Sequence, residues 1–324
     1  MASRAGGLTR RRFLTLSAAF GAAAGCIGPA AAGTPVARWH GFALGAGASI
    51  TLAGLGPAEA APVFAAVEAE LARLEAIFSL YRTDSALVRL NRDGRLPGPD
   101  ADLLACLAQA AVVHRLTEGL FDPTVQPVFA TLAEHFAAGG EAGDPGLARR
   151  LERAGALVGF DRVTFDDERV AFADPGMALT LNGIAQGYAT DRIAALLEAR
   201  GCRDVLVDIG ETRALGRSPE GRAWRAGIAE GPQGGAVAEV VELRDRALAT
   251  SMPLGTVLDP AGAVGHILHP RLGIVRPAWR RVSVVAASAA LADALSTGLC
   301  LADPAAPPAM MAGGADVRII AARA

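Results

Sequence analysis

The chain has 324 residues, 52% of them hydrophobic, enough to bury the core of one large domain or two intimately packed ones. Its 31 basic and 33 acidic residues are interspersed and sum to −2, which gives no electrostatic footprint for nucleic acid or anionic lipid. Every basic residue is an arginine, so a Walker-type phosphate loop and Schiff-base chemistry are excluded.

At the N-terminus an arginine pair, Arg10-Arg11, precedes Phe13-Leu14 and an uncharged run to Gly25 that is too short to span a bilayer. Ala30-Ala31-Ala32 supplies the small residues a signal peptidase needs. Residues 1–32 are therefore expected to be a twin-arginine signal, and 33–324 a mature periplasmic domain exported in the folded state. Ala23-Ala24-Gly25-Cys26 loosely resembles a lipoprotein cleavage site but has Ala where Leu is usual, so soluble release is expected over a lipid anchor at Cys26. Cys106, Cys202 and Cys300 form no close pair and are expected to be small buried hydrophobes rather than a zinc site or a disulfide.

Spacings of three and four between Val63, Val67, Leu71, Leu74 and Phe78 predict a helix from Pro57 to Tyr81, and a second covers about Asp100 to Leu116. Arg92 to Pro99 reads as a loop by its Gly and Pro content, as does Gly139 to Pro145. Short strands follow at Arg162–Phe165, Arg169–Ala173 and Met177–Leu181, then a helix to Arg200 and a strand at Asp204–Ile209. Further strands are expected around Trp224–Ala229, Val237–Leu243 and Arg281–Ala286, with a last helix at Ser288–Leu301 and a last strand near Val317–Ile320. Strands mixed with a few long helices, without regular alternation, point to an α+β fold.

Three segments carry chemistry. On the last helix Asp293 and Thr297 share a face, with Leu291, Leu295 and Leu299 about 200° around it. A lone carboxylate on so apolar a helix needs a cation or a donor, and carboxylate with hydroxyl suits Mg²⁺; the alternative is a partly exposed Asp bonded locally to Thr297. Thr180-Leu181-Asn182-Gly183-Ile184-Ala185-Gln186-Gly187 turns from a strand into a helix whose N-terminus can seat a diphosphate, or Asn182 caps that helix and the glycines serve close packing. Gly265-His266-Ile267-Leu268-His269-Pro270 reads as a strand entering a proline turn, with His266 either a general base or part of a surface turn. Tyr81, at a helix end, is either a stacking platform for a planar ring or a core-edge residue.

The order and identity of seven motifs, spanning about Phe78 to Leu301, resemble the ApbE family of exported FAD:protein FMN transferases. They are Phe78-Ser79-x-Tyr81 with Ser85 and Leu90-Asn91, Phe121-Asp122-Pro123-Thr124-Val125, Gly183-Ile184-Ala185-x-Gly187-Tyr188, Val207-Asp208-Ile209-Gly210, Ala249-Thr250-Ser251, His266-Ile267, and Leu291-Ala292-Asp293-x-Leu295-Ser296-Thr297. Thr180 to Tyr188 is similar to the NosX subgroup, which accompanies nitrous-oxide respiration.

The resemblance implies mixed, largely antiparallel sheets flanked by helices. It also implies FAD as substrate, with its ring against Tyr81 and the Leu120-Phe121-Asp122 loop and its diphosphate near Asn182, with Thr180, Gln186 and Ile267 also in the cofactor site. It implies Mg²⁺ on Asp293, Thr297 and the main-chain carbonyl of Gly183, and His266 as the base. The acceptor would be a Ser or Thr hydroxyl of an exported or membrane-anchored flavoprotein, a NosR-like membrane protein being one candidate, and AMP would leave. Members usually carry an acid at Thr180, Lys or Glu at Gln186, Asp at His269 and Thr at Leu272, which implies a less negative metal site here. The losses at Thr180 and His269 motivate one alternative, a non-catalytic periplasmic FAD carrier; another is a pyrophosphatase giving FMN and AMP with water as the acceptor.

Overall fold

The chain opens on a hairpin, β1 (Val36–Ala43) with β2 (Ala46–Ala53), and continues through α1 (Pro57–Phe78) and α2 (Ala86–Asp93) to β3 (Arg95–Pro97). Helices α3 (Ala101–Leu116), α4 (Gln126–Ala137) and α5 (Pro145–Gly155) lead to β4 (Val163–Phe165) and β5 (Arg169–Phe172). Then come α6 (Ala185–Ala199), β6 (Asp204–Asp208), β7 (Thr212–Leu215), β8 (Trp224–Gly231), β9 (Gly234–Leu243), β10 (Ala247–Ser251), β11 (Trp279–Ala286), α7 (Ala289–Leu299) and β12 (Arg318–Arg323). The structure, a computed structural model, describes residues 34–232, 234–309 and 316–324; the signal expected at 1–32 and Cys26 lie outside the described residues.

Seven strands form one sheet in the order β1-β2-β6-β7-β10-β11-β12, every neighbouring pair antiparallel. Along β2 the buried residues Ala46, Ala48, Ile50 and Leu52 alternate with half-exposed ones, the period-two pattern of a sheet with one covered face. On that face α7 lies over β10 and β11, α6 lies beside it over β6 and β7, and α1 packs on β1 and α6. The β8–β9 hairpin covers part of the other face through Trp224, Ile228 and Leu243. The fold is α+β, as expected; the sheets, expected to be mixed and largely antiparallel, pair antiparallel throughout the described residues.

The expected helices appear within a few residues of their predicted ends, and Cys106, Cys202 and Cys300 are buried and free. Three expectations are corrected. Arg92–Pro99 is not all loop: α2 runs to Asp93, and Arg95–Pro97 pairs with Arg169–Ala171 of β5 because Leu96 must be buried. Met177–Leu181 has the alternating burial of a strand but no strand partner. The Asn91 carboxamide bonds both the amide and the carbonyl of Leu179, at 2.7 and 2.8 Å, and the Thr180 amide donates to the Pro123 carbonyl at 2.8 Å. These bonds satisfy the backbone without a ladder. Gly265–Leu268 is likewise a loop, held by single bridges such as Val257 to Gly265.

The last helix is not two-faced either. Nine of the eleven residues of α7 are buried, Asp293 among them, so the leucines do not define a single apolar side.

Candidate active site at the α6–α7 junction

The N-terminus of α6 and the body of α7 meet at two glycines. A Cβ on Gly187 would sit 2.6 Å from the Ala289 carbonyl carbon and 2.8 Å from the Ala290 Cα, backbone that cannot yield. A Cβ on Gly183 would sit 3.0 Å from both Oγ1 and Cγ2 of Thr297. Glycine at these positions lets the two helices approach closely enough for the Gly187 amide to donate to the Asp293 carboxylate at 3.1 Å. The Asp191 carboxylate, one turn further along α6, accepts from the amides of Ala289 and Ala290, both at 2.9 Å, and so caps α7 and fixes its rotation. The role of Asp191 was not legible in the sequence, because a cap donated by another helix leaves no local pattern.

Asp293 is 3% exposed. Burial raises its carboxyl to about 7, opposed by the Gly187 amide and reinforced by the charge of Asp191. The local Asp293–Thr297 bond considered from sequence is not what holds the carboxylate: its recorded donor is Gly187. Glu211 and Asp208, around the β6–β7 turn, add to this acidic setting. Glu211 is buried and pushed well above its ordinary value, first by desolvation and then by Asp293 and Asp208. Asp208 rises to about 8 through desolvation, and its Oδ1 is buried with no hydrogen-bond partner among the described residues. Gln186 lies over Gly210 between these two acids: a Cβ there would meet the Gln186 carboxamide at 2.8 Å, and Gly210 has φ +87°.

The loop from Thr117 to Thr124 closes another side. A Cβ on Gly298 would sit 2.9 Å from the Phe121 Cβ and 3.1 Å from its amide nitrogen, so this loop rests directly on α7 beside Thr297. Asp122 does not offer its carboxylate outward. Oδ1 accepts from the amide and hydroxyl of Thr124 at 2.8 and 2.5 Å, and Oδ2 accepts from the Phe160 amide at 3.1 Å. Phe121 is buried in the core. Of residues 120–122 only Leu120, half-buried, has side-chain surface to present, and the other two contribute backbone groups.

Thr180 and His269, where acids were expected by resemblance, are both turn residues. The Asn182 amide donates to the Thr180 hydroxyl at 3.3 Å. His269 Nδ1 accepts from the amides of Arg271 and Leu272 at 3.1 and 3.3 Å. An Asp could accept such bonds in the same turns, so both side chains serve the local loop geometry. Asn182 is exposed and does not cap α6, whose N-cap is Ile184 with no side-chain bond.

His266 Nδ1 lies 3.2 Å from the Thr256 carbonyl, which can only accept, so Nδ1 carries the proton and Nε2 keeps the lone pair. Burial lowers its pKa, and the ring is neutral at pH 7. Ile267 is half-buried against the main core. Tyr81 follows α1 and is 59% exposed. The structure thus joins Gly183, Gln186, Asp293, Thr297 and the 120–122 loop by direct or next-neighbour contact, while Tyr81 stands on a second loop and His266 with Ile267 on a third. Ser251, named in the sequence only as part of the Ala249-Thr250-Ser251 motif and given no role there, has its hydroxyl 2.7 Å from that of Ser296 and 3.2 Å from that of Thr297.

Asp293 and Thr297 are hard oxygen donors beside a helix N-terminus, a combination suited to a divalent cation and a phosphate together. Among the described residues no three His, Cys, Asp or Glu side chains gather as a metal site. A cation here would draw on hydroxyl, main-chain and substrate oxygens beyond the one carboxylate, and the buried, singly donated Asp293 fits that use.

The ApbE family model matches residues 44–320, nearly all of the described chain. The chain belongs to the ApbE family. It is 30% identical over 245 residues to the FAD:protein FMN transferase of Haemophilus influenzae, covering 72% of this chain and 70% of that one. The corresponding Vibrio cholerae protein is 31% identical over 232 residues, covering 68% and 67%. Among solved structures, the apo form of Pseudomonas stutzeri flavinyl transferase ApbE superposes with a TM-score of 0.69 at 28% identity, over 84% of this ApbE-family chain and 87% of the other. The Vibrio cholerae flavin transferase ApbE matches in fold with a TM-score of 0.71, over 89% and 98% of the two chains.

Proposed function

We propose that this protein is a FAD:protein FMN transferase: it moves FMN from FAD to a Ser or Thr hydroxyl of a partner flavoprotein and releases AMP. The observation that carries the reading is the junction of Gly183 and Gly187 with Thr297 and Asp293, which sets a carboxylate and a hydroxyl beside the N-terminus of α6. Support comes also from the names of the relatives it matches.

In this reading the acceptor oxygen bonds the FMN-side phosphorus, the bond from that phosphorus to the bridging oxygen breaks, and AMP departs. Mg²⁺, held by Asp293, Thr297 and the Gly183 carbonyl, would neutralise diphosphate charge. Amides at the start of α6 orient the diphosphate, Tyr81 and the 120–122 loop backbone hold the flavin, and Gln186 donates to flavin or phosphate. His266 takes the acceptor proton at Nε2, the nitrogen left with a lone pair by the Thr256 contact. The protein acts in the periplasm after twin-arginine export of 1–32, on a periplasm-facing acceptor such as a NosR-like membrane protein of nitrous-oxide respiration.

Chromatography of AMP from mature protein, FAD and Mg²⁺ tests the reading. AMP that appears only when a threonine-bearing acceptor domain is added supports transfer. AMP without acceptor makes the protein a pyrophosphatase, and intact FAD in both cases makes it a carrier.

A further inference from the structure

Three hydroxyls and one carbonyl form a chain beside the proposed cation position. Thr297 Oγ1 lies 3.2 Å from Ser251 Oγ, Ser251 Oγ lies 2.7 Å from Ser296 Oγ, and Ser296 Oγ lies 3.0 Å from the Asp293 main-chain carbonyl. The elements that carry these groups are held independently. Ser251 ends β10, in register with Val282 of β11, and its carbonyl accepts from the Cys300 thiol at 3.4 Å. The neighbouring Thr250 hydroxyl is 2.9 Å from that of Ser283. Ser296 is fully buried, and the start of α7 is capped by Asp191.

The direction of the protons in this chain follows from counting. A carbonyl has no hydrogen, so the Ser296 proton must lie on the Asp293 oxygen. Ser296 Oγ then accepts in its contact with Ser251, which must donate, and Ser251 Oγ accepts in turn from Thr297. Three hydroxyl protons fill three contacts in this one arrangement, and any other leaves two oxygens facing each other with none between them.

We propose that Ser251, with Ser296, is a positioning residue: it draws the Thr297 proton toward β10, so that the Thr297 lone pairs remain directed at Gly183 and the cation. Without Ser251, the Thr297 hydroxyl would turn to the carbonyl one helical turn back, that of Asp293, already taken by Ser296. The proposal rests on the reading of Thr297 as a cation ligand. Outer-sphere partners of this kind typically change metal affinity by about 10- to 100-fold.

The test uses Mn²⁺ as the probe, with the mature protein and FAD, and reads bound metal from the loss of the free Mn²⁺ paramagnetic resonance signal. Ser251→Ala and Ser296→Ala should each weaken Mn²⁺ binding by about tenfold or more, and Ser251→Thr, which keeps a hydroxyl, should restore it. Combining Ser251→Ala with Thr297→Val should weaken binding no further than Thr297→Val alone. If Thr297→Val weakens Mn²⁺ binding but both alanine variants bind within about twofold of the unaltered protein, the relay is overturned and the cation site stands. If Thr297→Val also binds normally, the ligand reading fails, and the relay with it. A Ser251→Thr variant as weak as Ser251→Ala overturns the hydroxyl's role in favour of packing. Ser296→Ala breaks the same chain from the helix side and decides the matter should Ser251→Ala not fold.

Discussion

The Gly187 amide donates to the carboxylate of Asp293, the most deeply buried acid of the site, across the α6–α7 junction at 3.1 Å. It holds the carboxylate in one orientation while leaving most of its hydrogen-bonding capacity unused. That combination suits a ligand that arrives with a cation.

Asp293→Asn keeps an acceptor for Gly187 and removes a buried charge. The metal-free variant should melt at a higher temperature than the parent at pH 8, because burial penalises the ionised acid. It should also lose the stabilisation that Mg²⁺ with FAD gives the parent. Thermal melts with and without the ligands read both effects.

Metal-free stability should fall as pH rises. The folded Asp293 holds its proton up to about 7 and Asp208 up to about 8, against an ordinary value of 3.8. Between these limits the folded state binds more protons than the unfolded chain, so the free energy of unfolding declines with pH. Urea denaturation from pH 5 to 8 should show the decline, and Asp208→Asn should flatten it above pH 7.

Gly187→Ala should destabilise the protein by about 3 kcal/mol, at the upper end of the cost of overpacking, because the new methyl meets the backbone of Ala289 and Ala290. FAD affinity should fall with it, since the same shift moves Asp293 from its amide. Denaturant titration and flavin fluorescence measure the two losses; an unchanged midpoint would mean that the helices separate at no cost.

His269→Asp should leave transfer within about twofold, since Asp accepts the same two turn amides, whereas His269→Ala should cost about 1 kcal/mol of stability. A large loss of Mg²⁺ affinity in His269→Ala would contradict the assignment of this ring to the turn.

His266→Ala should slow transfer far more than it weakens FAD binding. The acidic limb of the parent's rate profile should fall below the ordinary imidazole value of 6.5, because burial lowers the pKa of the ring. Single-turnover rates between pH 5 and 8 give the limb, and equal losses of binding and rate would remove His266 from the chemistry.

How much of this was legible in the sequence depended on whether a group answers to its own segment. Helices α1, α3, α6 and α7 declare themselves through apolar spacing, and Asp293 with Thr297 through their four-residue separation. The Met177–Leu181 segment misleads because its burial alternates as in a strand while its backbone is satisfied by Asn91, 88 residues away. Strands β1 and β2 were missed because Ala, Gly, Ser and Thr occupy both faces of β2 and blur the alternation. Asp191 and Ser251 act on other elements, so only the tertiary structure assigns them. Thr180 and His269 look like lost acids in one dimension and are turn acceptors in three.

The most direct test of flavin transfer is the intact mass of a threonine-bearing periplasmic acceptor domain after incubation with mature protein, FAD and Mg²⁺. The account predicts a gain of one phosphate-linked FMN per acceptor, matched by one AMP and absent with Asp293→Asn. An acceptor of unchanged mass beside accumulating AMP, or beside intact FAD, would contradict it.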